Sequence, residues 1–357
     1  MIKRLIILLV LLTFTSSAAF ADKMDDYVKR EMAKEQVPGL SLVVVKDGKI
    51  IKSAGYGYAN LEVKAPATPE TIYQIQSVTK QFTATAVMML AEEGKIVLDD
   101  KVSLYLTGAP QAWRNITVRN LLTHTSGIKD YINEPTTSLR LDVSDEDVFN
   151  ATIKRELNFQ PGEKYAYSNT NYFLLSIIIH KLTGKTYGEY LNERIFKPLG
   201  MSNTRIYSQT DIIPNRASGY LLDNGKLQNG GYYAASILGY AGGGIITNVL
   251  DMAKWDAGLY DEKLLKRSSF EQMWTSGKLN NGKSTGYGFG WAIGDLKGHR
   301  LVTHNGAHTS GFASAITRYL DDKLTIVVLT NQFGGSNPSF IADNVAGFFD
   351  PAFATKN

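Results

Sequence analysis

The run LSLVVVKDGKIIKSAGYGYAN, residues 40–60, decides the fold. Two β-branched stretches flank Asp47-Gly48, a dipeptide suited to a tight hairpin because both central positions of such a turn need a positive φ. The far end of the chain mirrors it. YGFGWAIGD (287–295), HRLVTHNG (299–306), FASAITRYL (312–320) and KLTIVVLTN (323–331) read as four strands, the last two joined by Asp321-Asp322. Helical segments stand outside each set: Asp25 to Gln36, stopping before Pro38-Gly39, and Pro338 to Phe349.

Between the two strand sets the pattern changes to helix. Residues from about 77 to 240 hold most of the helical signals, including Asn171–Leu182 ending at Gly184 and Tyr187–Phe196 ending at Pro198. The expected fold is α+β: an antiparallel sheet flanked by helices and built from both chain ends, with a mainly helical region inserted. The expected limits are an α/β part at about 22–76 and 240–357 and a helical part at about 77–239.

The chain has 357 residues, enough for a large core, and its 44% hydrophobic and 20% charged content is ordinary for a globular protein. MIKRLIILLVLLTFTSSAAFADK, at the start, reads as an export signal. Lys3 and Arg4 form a positive start, Leu5 to Phe14 an apolar run, and Ala19-Phe20-Ala21 a cleavage site. Residues 1–21 are therefore expected to be removed, leaving a periplasmic or secreted protein of residues 22–357 without a membrane span. Loss of Lys3 and Arg4 takes the formal charge from +4 to +2, and no basic run supports a nucleic-acid partner. The absence of cysteine excludes disulfides, thiolate metal sites and a cysteine nucleophile.

Both expected internal boundaries fall beside residues with chemistry. QSVTKQFTATAVMML (76–90) begins a helix with Ser77 and places Lys80 three residues later. Residues so spaced on a helix share a face, so the pair can meet without help from the rest of the fold. A serine hydroxyl needs a base, and a lysine serves if burial depresses its pKa; the helix N-terminus adds positive potential and free N–H groups. The other reading makes Ser77 a cap and Lys80 surface charge. Spacing alone is weak evidence, since Ser126 and Lys129 repeat it within HTSGIKDY, which reads as a turn because of Gly127. Phe82, Ala86, Met89 and Leu90 behind Ser77 form a plausible buried stripe.

Other chemistries find little support. No Gly-x-Ser-x-Gly elbow, His-Glu-x-x-His or nucleotide-binding glycine motif occurs, and Asn305-Gly306 between His304 and His308 argues against a helical zinc pair. No metal or cofactor is expected. Gly242-Gly243-Gly244 reads as a tight backbone passage near a cleft.

Two further stretches join the first. YAYSNTNY contains Tyr167-Ser168-Asn169, and VTHNGAHTSGF contains His304-Asn305-Gly306. Ser-x-x-Lys, Tyr-x-Asn and His-x-Gly in that order resemble the β-lactamase-like, penicillin-recognising serine hydrolases, including class C β-lactamases, DD-carboxypeptidases, D-aminopeptidases and esterases. VPGLSLVVVKDGKI, ITVRNLLTHTSGI, IFKPLGMSNT and AGGGIITNVLDMAKW extend the likeness over nearly the whole mature chain.

The resemblance implies an acyl-enzyme on Ser77, with Lys80 between Ser77 and Tyr167. Lys80 would either keep the phenol's pKa low or accept the proton itself, and both alternatives stay open. Asn169 would hold Lys80 and a substrate amide, Gly306 would allow close backbone approach, and the N–H groups of Ser77 and Ala307 would form an oxyanion hole. His304 departs from the lysine of typical β-lactamases, and Asn305 replaces the threonine of strict DD-carboxypeptidases. The implied function is hydrolysis of an amide or ester, a D-amino-acid peptide from peptidoglycan being one source, with weak β-lactamase activity at best. A carboxylesterase or a penicillin-binding sensor without turnover are the alternatives. Tyrosines within 131–141 and 220–240 are candidates for the cleft rim.

Overall fold

The computed structural model describes residues 23–133, 143–233 and 241–354; the expected leader and parts of both candidate rim segments lie outside them. Helix α1 (residues 23–35) leads into strands β1 (Gly39–Lys46) and β2 (Lys49–Asn60), whose turn places Asp47 at φ 50° and Gly48 at φ 74°. Short strands β3 (Ala65–Pro66) and β4 (Tyr73–Gln74) precede helix α2 (Lys80–Glu92). The helical part adds α3 (Val118–Leu122), α4 (Asp145–Ile153), α5 (Asn169–Thr183) and α6 (Tyr187–Leu191). It also carries small strands β5 (Arg205–Ile206), β6 (Tyr220–Asp223) and β7 (Lys226–Asn229), and β8 (Ile245–Thr247) follows it. After α7 (Val249–Gly258) and α8 (Arg267–Met273) come β9 (Ala292–Leu296), β10 (His299–His308), β11 (Phe312–Tyr319), β12 (Leu324–Thr330), β13 (Gln332–Phe333) and α9 (Pro338–Ala346).

The main sheet has seven strands in the order β3-β2-β1-β12-β11-β10-β9, so the two chain ends meet where β1 pairs antiparallel with β12, Val43 opposite Val327. This α+β architecture agrees with the sequence expectation. Leu40, Leu42 and Val44 of β1 pack with Ile326 and Val328 under α1 and α9, while Val43 and Val45 face the larger core shared with the helical part. Burial on both faces explains why LSLVVV lacks a polar alternation.

Three local readings differ. Helix α2 is buried all round from Lys80 to Leu90 rather than along one stripe, because it runs through the middle of the larger core. The expected helix Tyr187–Phe196 is α-helical only to Leu191 and continues as a π-helical turn, Asn192–Phe196. The expected strand YGFGWAIGD is extended in β9 only from Ala292, since Gly286 and Gly290 take positive φ and turn the chain before it. Gly290 must stay a glycine: a Cβ there would lie 2.7 Å from the Lys80 carbonyl oxygen and 2.9 Å from the Gln81 Cα.

Candidate active site

Ser77 lies in the 3₁₀ turn Gln76–Thr79 that opens α2, at the junction of the sheet with the helical part. Gln76, just before it, is held at φ 50°, a conformation costly for a residue with a side chain. Its amide nitrogen donates to Gln74 Oε1 at 2.8 Å and Ser310 Oγ at 3.2 Å, which fixes the turn. Ser314 Oγ ties down the Ile75 carbonyl at 2.7 Å, and Thr79 Oγ1 accepts from the Ile245 N–H at 3.1 Å.

Lys80 is wholly buried, and its Nζ donates to Ser77 Oγ at 3.3 Å, Asn169 Oδ1 at 2.8 Å and the Gly242 carbonyl at 2.7 Å. Burial pulls its pKa down from 10.5 to about 7, with the Asp130 carboxylate opposing the fall. The glycine run thus supplies a carbonyl to the lysine as well as backbone passage.

Asn169 opens α5, and Asp130 accepts from both its Nδ2 at 2.9 Å and its backbone N–H at 3.1 Å. One carboxylate therefore satisfies a free N–H at the helix N-terminus and orients the carboxamide that Lys80 uses. Oδ1 meets Lys80 and one Nδ2 proton meets Asp130, and Asn169 lines the cavity beside Ser77. Asp130 was not singled out from the sequence. It stands in HTSGIKDY, whose Ser126 and Lys129 form no helix and whose Ser126 hydroxyl donates to buried Asn171 at 2.6 Å.

Tyr167 meets Lys80 through its ring. Lys80 Nζ sits over the face of its ring, 4.8 Å from the centroid, and over that of Tyr172 at 5.6 Å. The phenol approaches Ser77, and desolvation lifts its pKa well above the ordinary value although the ring is 38% exposed. Of the two alternatives left open for this pair, burial works against a phenol kept acidic by Lys80. The ring leans on His124, centroids 4.3 Å apart. His124 is buried, accepts the Ser168 N–H at its Nδ1 and is kept neutral by burial and by Lys80.

Strand β10 forms the opposite wall. The Arg300 carbonyl accepts from Leu320 on the β11 side, so even-numbered residues of β10 direct their backbone groups toward β11 and odd-numbered ones away from it. β9 covers only His299–Thr303, which leaves Asn305 and Ala307 with their N–H and C=O groups on an open edge. Ser77 and Ala307 line the same small cavity, about 80 Å³, with Asn169 and Gly242. A Cβ on Gly306 would stand 2.3 Å from the Ile75 carbonyl oxygen and 2.8 Å from the Ser77 nitrogen. Gly306→Ala is thus expected to push β10 off the nucleophile turn, costing about 1–3 kcal/mol of stability and about 100-fold or more in acylation rate. Thermal melting and single-turnover kinetics on the variant check both; wild-type acylation would contradict the argument.

His304 is 5% exposed. Its Nδ1 contacts the Asn305 carbonyl at 2.7 Å and its Nε2 the Tyr287 hydroxyl at 2.9 Å, a partner for which the sequence carried no signal. Burial, and then Lys80, hold its pKa at about 3, so the ring that stands in place of the lysine of typical β-lactamases is neutral near neutrality.

The sequence profile described as "Beta-lactamase" matches residues 24–347. The chain belongs to the β-lactamase family. It is 31% identical over 318 residues to penicillin-binding protein 4* of Bacillus subtilis, covering 84% of this chain and 69% of that one. The structure of an octameric penicillin-binding protein homologue from Pyrococcus abyssi superposes with TM-score 0.79 at 33% identity, over 92% of this chain and 77% of that one. A D-stereospecific amidohydrolase from Streptomyces sp. gives TM-score 0.73 at 26% identity, over 88% and 94%. This β-lactamase-family chain is a serine hydrolase, and among the described residues no helix is long and apolar enough to cross a membrane.

Proposed function

We propose that this chain, exported with residues 1–21 as its leader, hydrolyses an amide bond of a D-amino-acid peptide through an acyl-enzyme on Ser77. The observation that carries the reading is a buried lysine brought to about 7 and set 3.3 Å from a serine hydroxyl. Near neutrality much of the Lys80 amine is unprotonated and can take the Ser77 proton, whereas the Tyr167 phenol stays protonated. Lys80 is the base, then, and Tyr167 the donor that relays a proton to the leaving nitrogen. Ser77 Oγ bonds to the carbonyl carbon, and the oxyanion forms against the Ser77 and Ala307 N–H groups. Expulsion of the amine leaves the ester on Ser77, and water attacks it with the same lysine as base. Similarity to a D-stereospecific amidohydrolase and to penicillin-binding proteins supports D-configured substrates.

The test compares D- and L-aminoacyl p-nitroanilides with benzylpenicillin on the mature protein. D-substrates are expected to turn over faster than both the L-series and the drug. Equal D and L rates, or penicillin turnover at the level of dedicated resistance enzymes, would overturn the reading.

A further inference from the structure

A pocket of about 350 Å³ is lined by Tyr165, Tyr167, Tyr287, Thr303, His304 and Asn305, together with Ala292 and Ser339. No lining residue is a lysine, arginine, aspartate or glutamate. Thr303 and Asn305 bring the pocket to the end of the β9–β10 pairing, and it is separate from the small cavity that Ser77, Gln76 and His308 line. A donor that protonates a leaving group must stand beside it. Tyr167 lines this pocket, which therefore marks the leaving-group side.

The hydrogen bonds of His304 decide what the pocket can hold. A carbonyl oxygen only accepts, so the contact with Asn305 puts the ring proton on Nδ1. Nε2 is then the acceptor, and the Tyr287 hydroxyl spends its proton there. Neither group has a donor left for an incoming anion. Lys80 does not line the pocket; its Nζ sits over the Tyr167 ring and is engaged by Ser77, Asn169 and Gly242. A carboxylate entering here would meet only neutral donors such as the Tyr167 hydroxyl and the Asn305 N–H, and would give up water without gaining an ionic partner.

Resting on the acyl-transfer reading above, we infer that this pocket receives the leaving group and selects one without a free carboxylate: a carboxamide, an ester, or a residue internal to a longer peptide. In that step the Ser77 Oγ–carbon bond forms, the bond from carbon to the leaving nitrogen or oxygen breaks, and the serine proton departs on the leaving group as a neutral amine or alcohol. The aromatic walls then hold its uncharged body.

The experiment uses two esters of an N-acyl-D-alanine that differ at one remote group: a glycolate ester, bearing a carboxylate, and the matching glycolamide ester. The mature protein is expected to favour the glycolamide by about tenfold or more in kcat/KM, chiefly through KM. His304→Lys, which places a cation in the pocket, is expected to shrink or reverse the preference. Equal rates on the two esters, or a preference for the glycolate, would overturn the inference while leaving the acyl-transfer reading intact. If neither ester acylates Ser77, the acyl-transfer reading falls and takes this one with it.

Discussion

Ser77→Ala should leave a folded protein that forms no acyl-enzyme and has lost about 10⁴-fold or more of its turnover. The change is small for the fold. The Ser77 hydroxyl stands in the cleft 3.3 Å from Lys80, and Lys80 keeps Asn169 and Gly242 when it is removed. It is total for the chemistry, because the Ser77 hydroxyl is the one that Lys80 meets in the cleft and no acyl bond can form without it. Ser126 shares the spacing to a lysine, but it lies in an irregular segment and its proton is spent on Asn171. Intact-mass spectrometry after exposure to an N-acyl-D-alanine p-nitrophenyl ester reads the outcome directly. An adduct of the expected mass on the wild type alone supports the assignment. The same adduct on Ser77→Ala would mean that the nucleophile has been misplaced.

What the sequence disclosed and what it withheld follow from physical range. The Asp47-Gly48 hairpin and the end of α5 at Gly184 are local: each needs a positive φ at one or two positions, and the residue types advertise it. That both chain ends share one sheet was legible because strand patterns stand at both ends with helices between; that β1 meets β12 is seen only in the structure. Ser77 and Lys80 were legible as one turn of helix. The rest of the site depends on contacts between distant segments. Asp130 reaches Asn169 from 39 positions away, and Tyr287 reaches His304 from a segment that reads as strand but turns at Gly286 and Gly290. Tyr167 was found by its place beside Asn169. Which face of its ring Lys80 would meet is a matter of packing, and no spacing rule carries that.

Lys80→Met should lower turnover by about 10²- to 10⁴-fold, the range expected for losing a general base, while Ser77 remains in place. The sharper result is the pH profile of the wild type. A lysine must be neutral to accept a proton, so activity should rise with pH through a midpoint near the lysine's value of about 7. If the Tyr167 phenolate were the base, the rise would fall above about 10, because that group is raised from an ordinary phenol value. Asp130 separates cause from coincidence. Burial lowers the lysine and the Asp130 carboxylate opposes it, so Asp130→Asn removes the opposing charge and should move the acid limb to lower pH. The amide can still offer an oxygen to the Asn169 N–H groups, which keeps part of the geometry. A limb that moves to higher pH in Asp130→Asn, or stays fixed, would show that Lys80 is not the group being titrated.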